Sequence, residues 1–411
     1  MQRWLLIFLF SVGMTSTAHA EAFLVWLRTA RARTSAQRHT LQQAWKVRSV
    51  EALNRAGDMV KVIDDQKETL HRLQRHRWAR MVEPNVRIYA QVRPNDSLFY
   101  QQWGLHNVGQ SISNAIGIPG VDIGAIQGWD VGTDSPLTVA IIDSGIELTH
   151  EDLRDNLWFN SKEAKGTTGV DDDKNGFVDD INGYDFIHAK PNGEDENGHG
   201  THVAGIIGAR GNNGRGTAGV NWRIRLMPLK VLDKYGSGLM EDAVKAIDYA
   251  VAQNVRIVNT SWGTFSGSGI LMESIRRLNQ SGGLLVAAAG NFTADTDARP
   301  FYPASYDLPL IISVASINNL GELSAFSNYG KTQVDVAAPG EEILSTDLKN
   351  KYLLRSGTSM ATPFVTGIVA QIWTRSPQFS AREVKEQLLR RVLTLPSLKG
   401  KTVSEGMARI D

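Results

Sequence analysis

The chain is 411 residues long, carries a formal net charge of +1 and contains no cysteine. The missing thiol excludes disulfides, thiolate metal sites and a cysteine nucleophile, while 42% hydrophobic residues leave ample material for a large core. The near-neutral total hides an asymmetry: residues 21–93 hold 15 Lys and Arg against 7 Asp and Glu, and residues 94–411 hold 28 against 36.

The first twenty residues, MQRWLLIFLFSVGMTSTAHA, combine a basic Arg3, an apolar stretch over 4–12 and a small-x-small ending at Ala18-His19-Ala20. That layout predicts a secretory signal over 1–20, cut after Ala20, in a secreted protein. No later segment is apolar over a spanning length, so no stable membrane anchor is expected. Residues 21–93 open on a strand-like AFLVWLR, continue as polar helical stretches over 34–56 and 65–80, and leave through VEPNVRIYAQVRP. Two prolines and alternating polarity there predict extended chain. The zone shows no catalytic constellation. Its basic surplus suits either an anionic partner, such as a membrane or nucleic acid, or the acidic body that follows it.

From about Pro94 the texture changes. Near-continuous apolar runs (LTVAIID, IRLMPLKVLD, VRIVNTSWG, LLVAAAGN, LIISVAS, QVDVAAPG) alternate with helical stretches such as EDAVKAIDYAVAQ and LMESIRRLNQ. That pattern predicts an α/β domain over 94–411: a mostly parallel central sheet with helices on both faces. A small α+β domain over 21–93 precedes it.

Three segments of this domain carry reactive side chains at positions that suit chemistry. VAIIDSG ends a buried strand at Asp143, where open α/β sheets place their sites. NGHGTHVAG opens a helix with His199, and His202 follows three residues later. GTSMATPFVTGIVAQIW puts Ser359 at a helix start, where free backbone N–H groups receive developing negative charge. Each residue alone has a plainer reading, as a turn cap, a helix cap or a surface histidine. Together they supply an orienter, a base and a nucleophile.

AIIDSGI, NGHGTHVAGII and SGTSMATPFVTG resemble the three signature segments of the subtilisin-like serine peptidases, in that family's Asp–His–Ser order. The resemblance runs from about Pro94 to the C-terminus and implies a serine endopeptidase acting on proteins and peptides. Ser359 would be the nucleophile, His199 the general base and then acid, and Asp143 the group that orients the imidazole. Asn291, closing LLVAAAGN, matches the family's oxyanion asparagine. Ser261, Trp262 and Gly263 in NTSWG, Gly236, Ser237 and Gly238 in YGSG, and Gly290 match segments that hold the substrate backbone. Phe301, in FYPASY, stands where relatives mostly carry a small residue or asparagine. It either narrows the primary pocket toward small side chains or turns away into packing.

Metal ligands are suggested twice. In GVDDDKNGFVDDINGYDF, Asp171, Asp173 and Asn175 alternate before Gly176, followed by Asp179 and Asp180, which is close to an EF-hand-like calcium loop. Position twelve is Asn182 rather than a glutamate. From the resemblance alone, Asp96, Asp152 and Asn213 match a calcium site that ties the N-terminus to the body in thermitase-like members. Calcium would be structural. The family is commonly made as zymogens, so residues 21–93 have the place and size of a propeptide that inhibits the enzyme, processed near residues 89–94. The resemblance favours docking on the acidic body over binding nucleic acid, and a monomer is the default. A metallohydrolase built on His199, His202 and Asp195 lacks the H-E-x-x-H pattern. An α/β-hydrolase would need G-x-S-x-G, which Gly357-Thr-Ser-Met-Ala361 breaks.

Overall fold

The computed structural model describes residues 21–64, 68–85, 92–113 and 115–411. The expected signal segment and residues 86–91 of the expected exit strand lie outside the described residues. The chain divides into two compact units, one ending at Tyr89 and the other beginning at Ala90, near the expected boundary at 93/94.

The first unit runs β1 (Glu21–Leu27), α1 (Ser35–Trp45), β2 (Ser49–Ala52), β3 (Met59–Asp64), α2 (Thr69–Gln74) and β4 (Ala79–Pro84). Its antiparallel sheet has the order β2-β3-β1-β4. Both expected helices are therefore shorter than read. Thr34 and Gln37 form a capping box that starts α1, and Lys46 ends it in the left-handed conformation at φ 52°. Beyond that point Val50 pairs with Val62, and Val82 pairs with Val25. β-Branched residues gain more from these cross-strand pairs than from continuing a helix. Phe23, Val25, Leu41, Trp45 and Val60 are buried in a small core of their own.

The second unit opens with β5 (Ser111–Ile112), β6 (Ala115–Ile116) and α3 (Ala125–Trp129). It continues through β7 (Asp134–Asp143), β8 (Tyr184–Asp185), β9 (Lys190–Pro191), α4 (His199–Gly208), β10 (Arg223–Lys230), α5 (Met240–Ala252) and β11 (Ile257–Thr260). Then come α6 (Gly269–Gln280), β12 (Leu284–Ala288), β13 (Ile311–Ile317), β14 (Val336–Pro339) and the hairpin β15 (Ile343–Asp347) and β16 (Lys351–Arg355). The chain closes with α7 (Thr358–Arg375), α8 (Ala381–Arg390), β17 (Val392–Thr394) and β18 (Gly406–Ala408).

The main sheet has the order β17-β18-β14-β13-β12-β11-β7-β10-β8-β9, and β8, β10, β7, β11, β12, β13 and β14 pair in parallel. Alternation along each strand splits the apolar runs between two cores. Val139, Ile141 and Val286 join the layer under α4 and α7, while Ala140, Ile142 and Leu285 join the layer under α5 and α6. A parallel sheet buried on both faces explains why its strands read as unbroken apolar runs. After β7 the chain turns to β10 on one side, then crosses to β11 on the other. That switch leaves a crevice at the C-terminal ends of β7 and β11.

Candidate active site

Asp143 is the last residue of β7 and is fully buried. The strand end that carries it is held at three consecutive carbonyls. The Trp262 indole N–H donates to Ile142 O at 2.7 Å, Val231 N donates to Asp143 O at 2.8 Å, and Lys230 Nζ donates to Ser144 O at 3.0 Å. His199 begins α4, and its Nδ1 lies 2.7 Å from Asp143 Oδ1. Facing a carboxylate, Nδ1 carries the proton, which leaves Nε2 as the basic nitrogen. Burial opposes an imidazolium here, yet the charge and hydrogen bond of Asp143 outweigh it and raise the pKa above the ordinary 6.5.

His202, one turn on, behaves oppositely. Burial pushes its pKa down to about 3, and its Nε2 sits 2.9 Å from Leu353 O. The two histidines do not converge on a common point, and His202 ties α4 to the β15–β16 hairpin.

Ser359 stands in the first turn of α7, half-buried. Four residues on, Pro363 has no N–H to give, so the Ser359 carbonyl lacks its helical partner. Ser261 Oγ donates to that carbonyl at 2.9 Å instead. Asn259 Nδ2 in turn donates to Ser261 Oγ at 3.1 Å, and Thr366 Oγ1 donates to Asn259 Oδ1 at 2.8 Å. This buried polar chain fixes the start of α7 against β11. Ser359 Oγ itself donates to Ser261 O at 2.8 Å, and among the described residues no hydrogen bond joins it to His199.

Asn291 follows β12 and is exposed, and Thr358 donates to its Oδ1 through N at 2.8 Å and Oγ1 at 2.9 Å. Facing two donors, that atom must be the oxygen, so Nδ2 is turned outward. A Cβ on Gly357 would lie 3.4 Å from Asn291 Nδ2 and 3.6 Å from Ser359 N. Neither donor has an acceptor among the described residues. Glycine at 357 therefore keeps open a small cradle between two convergent N–H groups, placed to hold an oxyanion. Thr358, which aims the amide, and Pro363 carried no signal in the sequence reading; their spacing from Ser359 was the available clue.

Of the two expected backbone-holding segments, 236–238 is exposed, while in the other Ser261 is buried, Trp262 half-buried and Gly263 exposed; the two line one cleft. Val231, Gly236, Gly238, Trp262, Gly263 and Thr264 line a cleft of about 180 Å³, with Ser237 closing the turn through its carbonyl to Asp233 N. Phe301 is buried. Its ring lies where a Cβ on Gly263 would meet it at 2.4 Å and a Cβ on Gly290 at 3.0 Å. Phe265 and Phe292 pack on it at ring-centre distances of 5.1 and 5.7 Å. The ring thus packs into the space between Gly263 and Gly290.

The acidic loop is only partly as expected. Carboxylate oxygens of Asp171 and Asp173 gather with those of Glu163 within 4.8 Å. Glu163, absent from the sequence reading, comes from the short turn Glu163–Lys165. Asn175 lies alongside, donating from its backbone N to both aspartates. Asp179 and Asp180 are not in that group. Asp179 Oδ2 accepts from Gly169 N, and Asp180 is buried, accepting from Asn160, Asn175 and the Tyr249 hydroxyl. The second expected set does assemble: Asp96 accepts from Asn212 N and Asn213 N, and Asp152 accepts from Asn213 Nδ2 at 2.7 Å. Burial raises the pKa of Asp96 to about 6 and that of Asp152 also upward. These are hard oxygen donors in a desolvated setting, a set that fits calcium.

Comparison with known proteins gives a consistent picture. The pattern of the subtilase family matches residues 134–406. Subtilisin-like protease 1 of Plasmodium falciparum is 38% identical over 293 residues, covering 66% of this chain and 42% of that protein. A thermophilic serine proteinase of Bacillus sp. (strain AK1) is 35% identical over 291 residues, covering 70% of this chain and 61% of that protein. The chain thus spans less than half the length of the first of these relatives. A solved protease structure from Pseudoalteromonas arctica superposes with a TM-score of 0.62 at 26% identity, covering 78% of this chain and 98% of that one.

Proposed function

This chain belongs to the subtilase family, and on that premise we propose that it is a secreted serine endopeptidase, made as a zymogen and stabilised by calcium. The observations that carry the reading are the 2.7 Å Asp143–His199 contact and, at the start of α7, a serine flanked by two unpaired, convergent N–H donors.

In the reaction, the Ser359 hydroxyl leaves the Ser261 carbonyl and gives its proton to His199 Nε2 as Oγ attacks the scissile carbonyl. Asp143 stabilises the imidazolium. The new oxyanion lies between Ser359 N–H and Asn291 Nδ2–H, held before the charge develops, which is where such donors act most strongly. The imidazolium then protonates the leaving amine, and the C–N bond breaks to leave an acyl group on Ser359. Water, deprotonated by the same nitrogen, reverses the steps. The backbone at 236–238 and 261–263, on the two sides of the cleft, pairs with an extended peptide, which explains tolerance of many sequences.

Phe301 restricts the residue on the acyl side of the cut to small side chains. Glu163, Asp171 and Asp173 with Asn175, and Asp96 and Asp152 with Asn213, would hold calcium. Bound there, calcium would supply positive charge to those carboxylates and stabilise the fold by favouring the native state. Residues 21–93 serve as an inhibitory propeptide, a role supported by their basic surplus against the acidic remainder. Export through residues 1–20 rests on the sequence pattern. No helix among the described residues is long and apolar enough to cross a membrane.

The test is to treat the purified chain with a phosphonofluoridate and map the adduct, with Ser359→Ala as control. Labelling at Ser359 with loss of casein hydrolysis is expected. An unlabelled Ser359 in a folded protein that still cleaves casein would sink the reading.

A further inference from the structure

Lys230 closes β10 and is completely buried. An ammonium without water must find its acceptors in the protein. It has two: Ser144 O at 3.0 Å and Glu196 Oε2 at 3.4 Å, the latter on a half-exposed side chain. Both lead to the reacting groups by short covalent paths. Ser144 follows Asp143; its N donates to Asp143 Oδ1 at 2.7 Å, and its Oγ accepts from Gly200 N at 2.9 Å in the first turn of α4. Glu196 lies in the loop that delivers His199. In that loop Asp195 accepts from Asn197 N, Gly198 N and Thr201 N. In the ladder, Lys230 is the register partner of Asp143. The interactions therefore form a closed ring: Asp143, Ser144, Lys230, Glu196, the loop, His199 and back to Asp143.

We propose that Lys230 is a positioning residue for the hydrolysis, a buried cation that clamps the strand end bearing Asp143 to the loop bearing His199. The proposal rests on the serine-peptidase reading. A purely structural lysine would need only some acceptor in the core; this one takes the carbonyl of the residue after Asp143 and a carboxylate three residues before His199. Glu194 and Asp233 also lie within electrostatic range of the ammonium, beyond its contact with Glu196. Fixing the dyad to a fraction of an ångström matters because a misplacement of about 1 Å costs about 10²-fold in rate.

The experiment compares wild type, Lys230→Met, Lys230→Arg and Glu196→Gln. Steady-state kinetics on an alanine p-nitroanilide peptide are read alongside the rate of Ser359 phosphonylation and the thermal midpoint. Methionine fits the same sheath without charge. For Lys230→Met, kcat and the phosphonylation rate fall together by about 10–100-fold while KM changes less than about threefold. Arginine restores much of the loss, and Glu196→Gln gives a smaller fall of the same kind. If Lys230→Met folds and is phosphonylated at the wild-type rate, the proposal is overturned. If that variant does not fold, a wild-type kcat in Glu196→Gln overturns it equally. A wild-type enzyme that is never phosphonylated condemns the peptidase reading instead, so the two failures are told apart.

Discussion

Two corners of the second unit both bury carboxylates, and they resolve the cost differently. At the end of β7, Asp143 faces His199, whose pKa is raised in return. The histidine can supply the missing positive charge whenever it is needed. At the other corner, Asp96 and Asp152 face the amide, hydroxyl and backbone donors of Asn213, Thr217 and Tyr352. Hydrogen bonds soften the burial there without cancelling it, and Asp96 is pushed up to about 6. The comparison teaches that one corner is complete with protein groups and can cycle a proton. The other leaves its carboxylates without an ion-pair partner among the described residues, as the proposed calcium site requires.

The sharpest way to break this contrast is at the first corner. Ser359→Ala should lower kcat by about 10⁶-fold with the thermal midpoint nearly unchanged, measured against residual casein hydrolysis. Asn291→Leu should cost about 10²–10³ in kcat with KM little altered. Thr358→Val should cost about tenfold, because it removes one of the two bonds that aim the Asn291 amide; equal activity would show that the backbone bond suffices. For the second corner, chelator should lower the midpoint by roughly 4–6 °C, from about 3–4 kcal/mol of lost ligand stabilisation. Asp96→Asn should abolish part of that response while leaving kcat at 25 °C intact.

The pH responses separate the corners more finely. His199 must be neutral to accept the proton, so the acid limb of kcat/KM should lie above pH 6.5, and a limb at or below 6.5 would contradict the Asp143 contact. Asp96 works the other way. Its folded value of about 6 exceeds the ordinary 3.8, so between those values the folded form keeps a proton the unfolded chain has lost. In chelator, stability should therefore fall as pH rises from about 4 to 6. Calcium should flatten that slope, since the bound carboxylate is ionised in the native state. Melting curves with identical slopes in both conditions would remove Asp96 from the site.

Much of this was legible before folding. The strand-end Asp143, the helix-start His199 and Ser359, and Asn291 sit inside long segments whose residue types are demanded by local geometry. The sheet strands announced themselves because burial on both faces forbids polar interruption. Less legible were elements whose limits depend on distant partners. The helical readings over 34–56 and 65–80 overran because polar periodicity does not say where strand pairing to β1 and β3 takes over. Glu163 escaped notice because its neighbours Lys162 and Lys165 give it the look of a solvated turn, yet it is buried against Asp173 N and Asp179 N. Asp179 and Asp180 fall outside the Glu163, Asp171 and Asp173 group, since proximity in sequence says nothing about which way each side chain points.

The sequence by itself determined the α/β architecture, the chemical types at the site and their order along the chain, since these follow from periodicity, hydrophobicity and short motifs. Only the tertiary structure decided which groups meet. Strand crossover brings β7 and β11 side by side, Pro363 frees a carbonyl that Ser261 claims, and Phe301 fills the gap left by two glycines. Lys230 becomes a clamp only when β10 lies beside β7. Those outcomes depend on contacts between residues tens to hundreds of positions apart, which no local pattern encodes.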